Sequence, residues 1–463
     1  MVLALPSCAP TLNMREANKA VPTGYISSTS DSTNTASVQW RSFFTDPYLI
    51  ALIDTALGNN QELNIVQQEI EVARNEARAR KAEYLPFMGL QAGAGSDKVG
   101  RFTRNGAVEE NLNIMEDTPF PEPLPDYLLG LHATWEIDIW KKLRNAKKSA
   151  YLRYVASVEG KNFLVTNLIA EIASTYYELL ALDNQLLIVQ QNIEIQSNAL
   201  AVVRTQKEAA QTTELAVRRF EAEVFHTRSL QYTIQQRITE TENRLNFLVG
   251  RFPQPVQRAT QDFITQVPDT LMAGLPVQLL ENRTDVKQAE LELLAAKLDV
   301  KVARARFYPS IGISAGVGVQ AFDPTYLMKT PASLLYSISG DLMAPLINRN
   351  AIKAAYFSAS ALQMQAVYNY ERTLLNAYVE VTNQLAMIAN LKASYDLKAQ
   401  QVEALTGSIT ISNNLFRSAR ADYMEVLLTQ RDALESRFEL VATQLERLNA
   451  TVNTYRALGG GWR

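Results

Sequence analysis

The sequence predicts an α+β fold written twice, and three observations carry that prediction. The segment Glu83-Tyr84-Leu85-Pro86-Phe87-Met88-Gly89-Leu90-Gln91-Ala92-Gly93-Ala94-Gly95 returns as Arg306-Phe307-Tyr308-Pro309-Ser310-Ile311-Gly312-Ile313-Ser314-Ala315-Gly316-Val317-Gly318, with the proline and three glycines in register. Each copy follows an Ala/Glu/Lys/Arg-rich stretch of helical character. Each precedes a second alternating segment and then a long run without proline. Self-similarity of this kind signals a unit that buries its apolar surface against its own copies.

Read in order, residues 1–38 form a signal remnant and an extended leader, Ser/Thr/Asn/Pro-rich after residue 9 and without a period. Met1-Val2-Leu3-Ala4-Leu5-Pro6-Ser7-Cys8 has the apolar residues and small residue before a cysteine that end a bacterial lipoprotein signal, although its charged start is missing. Cys8 is therefore either a lipidated residue or an incidental thiol. Repeat 1 spans 39–250. A turn at Asp46-Pro47 opens an amphipathic helix with Leu49, Leu52, Ile53, Ala56 and Leu57 on one face. A second helix over 62–83 stops before Pro86. Strands follow at about 87–97 and 127–139, joined by a Gly-, Asn-, Glu- and Pro-rich loop.

From Leu143 to Phe247 there is no proline and one glycine, Gly160, which is roughly 155 Å of helix if straight. Residues 251–270 hold three prolines and read as a connector. Repeat 2 spans 271–463: a helix over Thr284 to Arg306, strands at about 311–322 and 333–344, and a second long run from Asn350 to Ala457. Leu374, Tyr378, Val381, Leu385 and Ile388 step by a near 3.5-residue period, and Ile172, Tyr176, Leu179, Leu186 and Val189 keep a similar rhythm. Polar residues fill the intervals, so the long helices bury narrow flanks and keep wet faces. Polar patches at Ala209 to Thr213 and Ser418 to Asp422 predict that each run folds back into two helices of about 50 residues, with continuous helix as the alternative.

Net charge of −3 and the absence of a basic stripe argue against nucleic acid as a partner. The single cysteine excludes an intramolecular disulfide, and His132 and His226 stand apart as surface or packing residues. No phosphate loop, dinucleotide fingerprint or catalytic triad is present, so the chain is not expected to be an enzyme or to hold a cofactor or metal. No apolar run reaches the roughly 18 residues of a membrane-spanning helix. Four strands are too few for a transmembrane barrel, which begins at about eight. Strands that cross a membrane must then be shared between chains, and three chains would supply twelve. A small soluble sheet capped by helices is the alternative.

Several short motifs, in this order and spacing, resemble the TolC-like outer membrane factors, in particular the lipoprotein branch serving tripartite efflux pumps. They are Trp40 through Pro47, Tyr84-Leu85-Pro86 with Tyr308-Pro309-Ser310, Trp135-Glu136-Ile137-Asp138, Gly274-Leu275-Pro276 with Leu279-Leu280, Arg283-Thr284-Asp285 and Leu458-Gly459-Gly460-Gly461-Trp462. The likeness covers about residues 38–463; Thr284 departs from it, standing where that branch usually carries proline. The resemblance implies an α+β membrane protein: a homotrimer whose twelve-stranded β-barrel, four strands per protomer, continues into a long periplasmic α-helical barrel. It implies lipid anchoring at Cys8 in the bacterial outer membrane, a periplasmic adaptor protein as direct partner, and an inner-membrane transporter as indirect partner. The chain is then a passive efflux duct for drugs or other small molecules. Type I protein secretion, metal efflux and a soluble coiled-coil scaffold are the competing readings.

The resemblance also places a gate at the helical turns. It maps onto Thr213 and Glu214 in repeat 1 and onto Arg417, Arg420, Asp422 and Glu425 in repeat 2. Glu214 and Glu425 take the acidic positions, and the two arginines are expected as clasp partners. Leu428 stands where a second acidic ring sometimes lies.

Overall fold

The computed structural model describes residues 10–12, 14–25, 33–259, 263–264, 272–345, 349–418 and 420–462. Its elements in chain order are α1 (Trp40–Phe43), α2 (Pro47–Asn59), α3 (Gln61–Glu83), β1 (Phe87–Asp97), α4 (Arg104–Asn111), β2 (Asn113–Met115), β3 (Thr118–Pro119), β4 (Leu124–Ile137), α5 (Lys142–Glu208) and α6 (Glu214–Val249). Then come α7 (Leu279–Asn282), α8 (Thr284–Ala305), β5 (Ser310–Ala321), β6 (Leu334–Met343), α9 (Asn350–Arg417) and α10 (Tyr423–Ala457). Helix, strand, strand, long helix and shorter helix thus follow one another twice, with α4, β2 and β3 inserted in the first round. The connection between β1 and β4 is accordingly not the open loop its composition suggests. Its Thr103 caps α4 by accepting from Gly106 N, and β2 pairs with β3.

The chain gathers into two compact units, and they are not the two repeats. One holds Met1–Glu16, Glu71–Val155 and Leu291–Tyr368; the other holds Ala17–Ile70, Ala156–Glu290 and Asn369–Arg463. The physical reason lies partly in the strands. β4 of the first repeat pairs with β5 of the second, so neither repeat completes a sheet by itself. The sheet is antiparallel throughout, in the order β1-β4-β5-β6.

The long runs do fold back at the polar patches, but into unequal helices. α5 and α6 have 67 and 36 residues, and α9 and α10 have 68 and 35, where about 50 each was expected. The turn follows the local polar sequence rather than the midpoint. Arg237 to Glu178 at 3.5 Å and Arg244 to Glu171 at 3.0 Å are rungs across the antiparallel pair α5/α6. Lys398 to Glu439 at 3.3 Å is a rung across α9/α10.

The main core belongs to the second unit. Ile172, Tyr176, Leu179, Leu180 and Leu245 are fully buried there with Leu49, Ile53 and Ala56 of α2. Asp46 accepts from Tyr48 N at 2.8 Å and caps α2, with Pro47 suited to the first helical position. The Tyr176 hydroxyl donates to the other Asp46 oxygen at 2.6 Å. Burial first, and this carboxylate second, hold the Tyr176 phenol well above its ordinary pKa. The proline-rich connector is packed as well: Val256 and Phe263 are buried in the same core, and the Arg258 guanidinium is held by Asp183 at 2.5 and 3.0 Å and by Glu242.

Arg283 is buried between Asp285, at 2.6 Å, and Glu380, at 2.6 Å, and also donates to the Ala457 carbonyl at 3.1 Å. Gly459 lies beside this site with φ 92°, and a Cβ there would fall 2.6 Å from the Asn282 carbonyl oxygen. The Trp462 indole donates to the carbonyls of Asn282 and Gly459 at 3.3 and 3.1 Å. The described part of the leader is extended and held along α9. In the first unit Tyr356 OH donates to the Thr11 carbonyl at 2.8 Å and the Gln363 amide to the Arg15 carbonyl at 2.8 Å. In the second, Asn18 N donates to Glu371 at 2.9 Å and Tyr25 stacks on Tyr378.

Gly250 ends α6 with φ 76°, and a Cβ would lie 2.4 Å from the Asn59 carbonyl oxygen. Gly250→Ala meets both left-handed strain and a backbone clash, and should destabilise by more than roughly 2 kcal/mol. The expected outcome is a lower melting temperature by circular dichroism; an unchanged one would contradict this account of the α6 end.

Candidate functional site

The register of the sheet sorts its side chains into two chemically different faces, because directly opposed residues point to the same side. Leu90 opposes Leu131, Leu131 opposes Val317, and Val317 opposes Tyr336. Extending this face by twos adds Met88, Leu129, Trp135, Ile313, Val319, Ile338 and Leu342, all apolar. The other face is mostly small or polar, with Gly89, Gln91 and Gly93 of β1, His132, Thr134 and Glu136 of β4, Gly312, Ser314, Gly316 and Gln320 of β5, and Ser337, Ser339 and Asp341 of β6, although Phe87, Leu128, Leu335 and Met343 also lie on it.

The apolar face is open: Leu90 is 71% exposed and Tyr336 and Ile338 are each 80% exposed. A face this apolar and this exposed is out of place against water. Two edges are also open, since β1 and β6 each have one neighbour among the described residues. Among the described residues no helix is long and apolar enough to cross a membrane. No group of three or more His, Cys, Asp or Glu there is placed to hold a metal ion.

The second feature is the pair of helical turns. After α5 the chain turns through Ala210, a non-glycine residue at φ 59°. Ala210 N donates to the Lys207 carbonyl at 2.9 Å and Gln211 N to the Gln206 carbonyl at 2.8 Å, the two closing bonds of a Schellman motif. Thr213 then starts α6, its hydroxyl accepting from Ala216 N at 3.3 Å. After α9, Arg420 N reaches back to the Leu415 carbonyl at 2.9 Å, the same six-residue closure. Asp422 occupies the capping position of α10 without a side-chain cap. Beneath the turns Val203, Ala216, Val217, Phe220 and Val426 form one small buried cluster, which packs the two hairpin ends together. Beside it runs a cleft of about 350 Å³ lined by Asn198, Phe220, Asn413, Asn414, Arg417 and Val426, among others. Farther along the same helices Gln196 and Gln430 are fully buried, and neither amide has a protein partner among the described residues.

Glu214 is exposed and paired within its own hairpin, to Lys207 at 3.1 Å and Arg218 at 2.9 Å. Arg218 continues to Glu221 at 3.0 Å, and Glu221 to Arg204 at 2.6 Å. This five-residue chain of alternating charge straps α5 to α6. Lys207 chiefly holds the Glu214 carboxyl below its ordinary pKa, and Arg204 does the same for Glu221. Arg417, Arg420, Asp422 and Glu425 are exposed and make no ion pair among the described residues of this chain, and Leu428 is 42% exposed. Cys8 lies outside the described residues. Sequence reading placed Glu214 at a turn but missed Arg204, Lys207, Arg218 and Glu221. The Glu214/Arg218 spacing of four and Arg218/Glu221 spacing of three were visible; the α5 partners needed the turn geometry.

The sequence model of the outer membrane efflux protein family matches residues 52–251 and 275–460. The chain belongs to that family. Among family members, it is 28% identical over 433 residues to the solvent efflux pump outer membrane protein SrpC of Pseudomonas putida, covering 92% of this chain and 88% of that one. It is 25% identical over 423 residues to the probable outer membrane lipoprotein SilC of Salmonella typhimurium, covering 91% and 88%. Its fold matches the open state of the Neisseria gonorrhoeae outer membrane channel MtrE with a TM-score of 0.85 at 23% identity, over 98% of this chain and 99% of that one. Like its relatives, this chain is an outer membrane efflux component, mostly helical with some sheet.

The charge chain gives a pH dependence with a definite sign. Glu214 and Glu221 have folded-state pKa values below the ordinary value of 4.5, so their contribution is complete above that value and is lost as pH falls through the lower ones. A spin label at Gln211 should become more mobile as pH falls below about 4.5 in the parent protein. A Glu214→Gln/Glu221→Gln variant should be mobile at both pH values. Equal pH response in the two would remove the carboxylates from the strap.

Proposed function

We propose that this chain is the exit duct of a tripartite efflux system in the bacterial outer membrane, passively conducting drugs or other small molecules from the periplasm to the outside. The observation that supports it most is the two-faced sheet with two open edges. Strands of 11, 14, 12 and 10 residues reach or exceed the roughly 9–11 residues a tilted strand needs to cross a bilayer. The apolar face suits lipid and the Gly/Ser/Gln/Asp face suits a wet lumen. Open edges cannot face hydrocarbon, because each unpaired backbone group there costs several kcal/mol. The β1 edge of one protomer therefore pairs with the β6 edge of the next. Three protomers give a twelve-stranded barrel, continued in the periplasm by an α-helical barrel.

A periplasmic adaptor grips the helical hairpins, and an inner-membrane transporter supplies the energy. A lipid on Cys8 anchors the leader, a reading supported by the small residue before that cysteine and by the lipoprotein relative. Closure lies at the hairpin turns. Thr213 and Glu214 belong to the strapped turn, while Arg417, Arg420, Asp422 and Glu425 keep exposed charges available to neighbouring protomers. Three copies of Glu425 about one axis repel one another and attract cations, which ties opening to divalent ions. The strapped first hairpin is the fixed side of this arrangement and the unpaired second one the movable side.

Stepwise conductance in planar bilayers tests the reading. Ile338→Arg puts a charge on the lipid face and should cost about 2–4 kcal/mol if it lies near the midplane, depleting assembled pores. Ser337→Arg, one residue away on the lumen face, should assemble and change conductance instead. Equal effects would refute the assignment of the faces. Replacing Glu425 and Arg420 together by alanine should raise conductance and sensitise cells to large hydrophilic antibiotics; no change would remove both from the gate.

A further inference from the structure

In the first unit, α3 and α5 border an open groove of about 550 Å³ lined by Arg74, Arg78, Lys81, Arg144, Lys147 and Lys148, with no carboxylate in its wall. Tyr151 stands in it, 55% exposed, with its ring 6.1 Å from that of Tyr154. Arg74 is paired to Glu71 at 3.2 Å and Arg144 to Asp138 at 3.2 Å. Arg78, Lys81, Lys147 and Lys148 have no carboxylate partner among the described residues, so most of the positive charge is uncompensated.

Two observations fix where the groove opens. Ala79, Ala82 and Glu83 of α3 share a different cleft whose sheet residues lie mostly on the polar face, Thr134, Glu136, Gly312, Ser314 and Asp341 among them, with Trp135 and Ile313 reaching it from the other face. At 100° per residue, the groove residues Arg74, Ala77, Arg78 and Lys81 are centred roughly 145° round α3 from that side. The groove thus opens on the side of the apolar face. It also lies close to the end of that face: the Arg144 guanidinium is 6.0 Å from the Tyr84 ring, and the Tyr84 carbonyl accepts from the Trp135 indole at 3.1 Å. A Trp/Tyr pair at the end of an apolar strand face marks a membrane–water boundary.

We propose that this groove binds the phosphate of anionic phospholipid headgroups at the periplasmic surface of the outer membrane. The proposal rests on the duct reading, which places the apolar face in lipid. Charge complementarity and the absence of carboxylates select an anion. The position just beyond the apolar face selects a headgroup over a peptide or nucleic acid. The four unpartnered cations surround the phosphate, and Tyr151 offers a hydroxyl and an amphipathic ring of the kind that sits at headgroup depth.

The test is native mass spectrometry of the full-length, detergent-solubilised protein titrated with phosphatidylglycerol, phosphatidylcholine or inorganic phosphate. The parent protein should retain phosphatidylglycerol over phosphatidylcholine, and salt should weaken the retention. Arg78→Gln/Lys81→Gln/Lys148→Gln should lower the apparent affinity for phosphatidylglycerol by more than roughly tenfold. Each single variant should lose part of that. A triple variant at exposed cations elsewhere, Arg219→Gln/Arg228→Gln/Lys392→Gln, should bind like the parent. Equal retention by parent and groove variant overturns the proposal. So does binding of inorganic phosphate strong enough to displace the lipid, which would make the site one for free phosphate. Conductance read in parallel separates the two readings: a parent protein that forms no pore strikes the duct, while a pore-forming parent with an inert groove strikes this inference alone.

Discussion

The structure depends on the backbone of two strand edges. β1 and β6 each present one side of N–H and C=O groups to no partner among the described residues, while the sheet between them is largely apolar on one face. In water that face is unfavourable, and in hydrocarbon those edges are. The proposed arrangement removes both difficulties: copies of the same sheet join edge to edge until the ring closes, with lipid outside and water within. An edge unlike its partner edge requires head-to-tail pairing, and head-to-tail pairing closes only as a ring.

The helices obey a related economy of apolar surface. On α5 the buried surface is broad where the main core packs, with Ala173, Leu180, Ala181 and Leu182 buried beside Ile172, Tyr176, Leu179 and Val189, whereas on α9 Leu374, Ala377 and Val381 are buried and Leu375, Asn376, Val379 and Glu380 between them stay exposed. A seam like that of α9 holds helices side by side without filling a solid core. Near the turns the packing thins to the small cluster around Phe220 and Val426. There the first hairpin is strapped by Arg204, Lys207, Glu214, Arg218 and Glu221, and among the described residues no ion pair straps the second turn. An end with few buried contacts and uneven bracing is where local opening requires the least free energy.

Much of this was legible because the patterns are local. Period-two alternation with glycines in register marked the strands, proline marked where α3 must stop, and polar patches marked the turns. The inserted α4 and the β2/β3 hairpin were hidden by a loop-like composition, since Thr103 caps so short a helix with little periodicity to announce it. The unequal hairpins were misjudged because length was shared evenly when the turn chemistry sat at about two-thirds of each run. The candidate gate was half visible: Glu214 could be placed at a turn, but its partners Lys207 and Arg218 emerge only once α5 and α6 lie antiparallel. The basic groove draws on two helices distant in sequence, and neither stripe stands out alone.

The claim underneath all of this is that one chain cannot close its own sheet. The mass of the protein extracted in a mild detergent, measured intact, addresses it directly. The account predicts three chains in one particle that falls out of solution when detergent is withdrawn. A monomer that stays dissolved without detergent would contradict it.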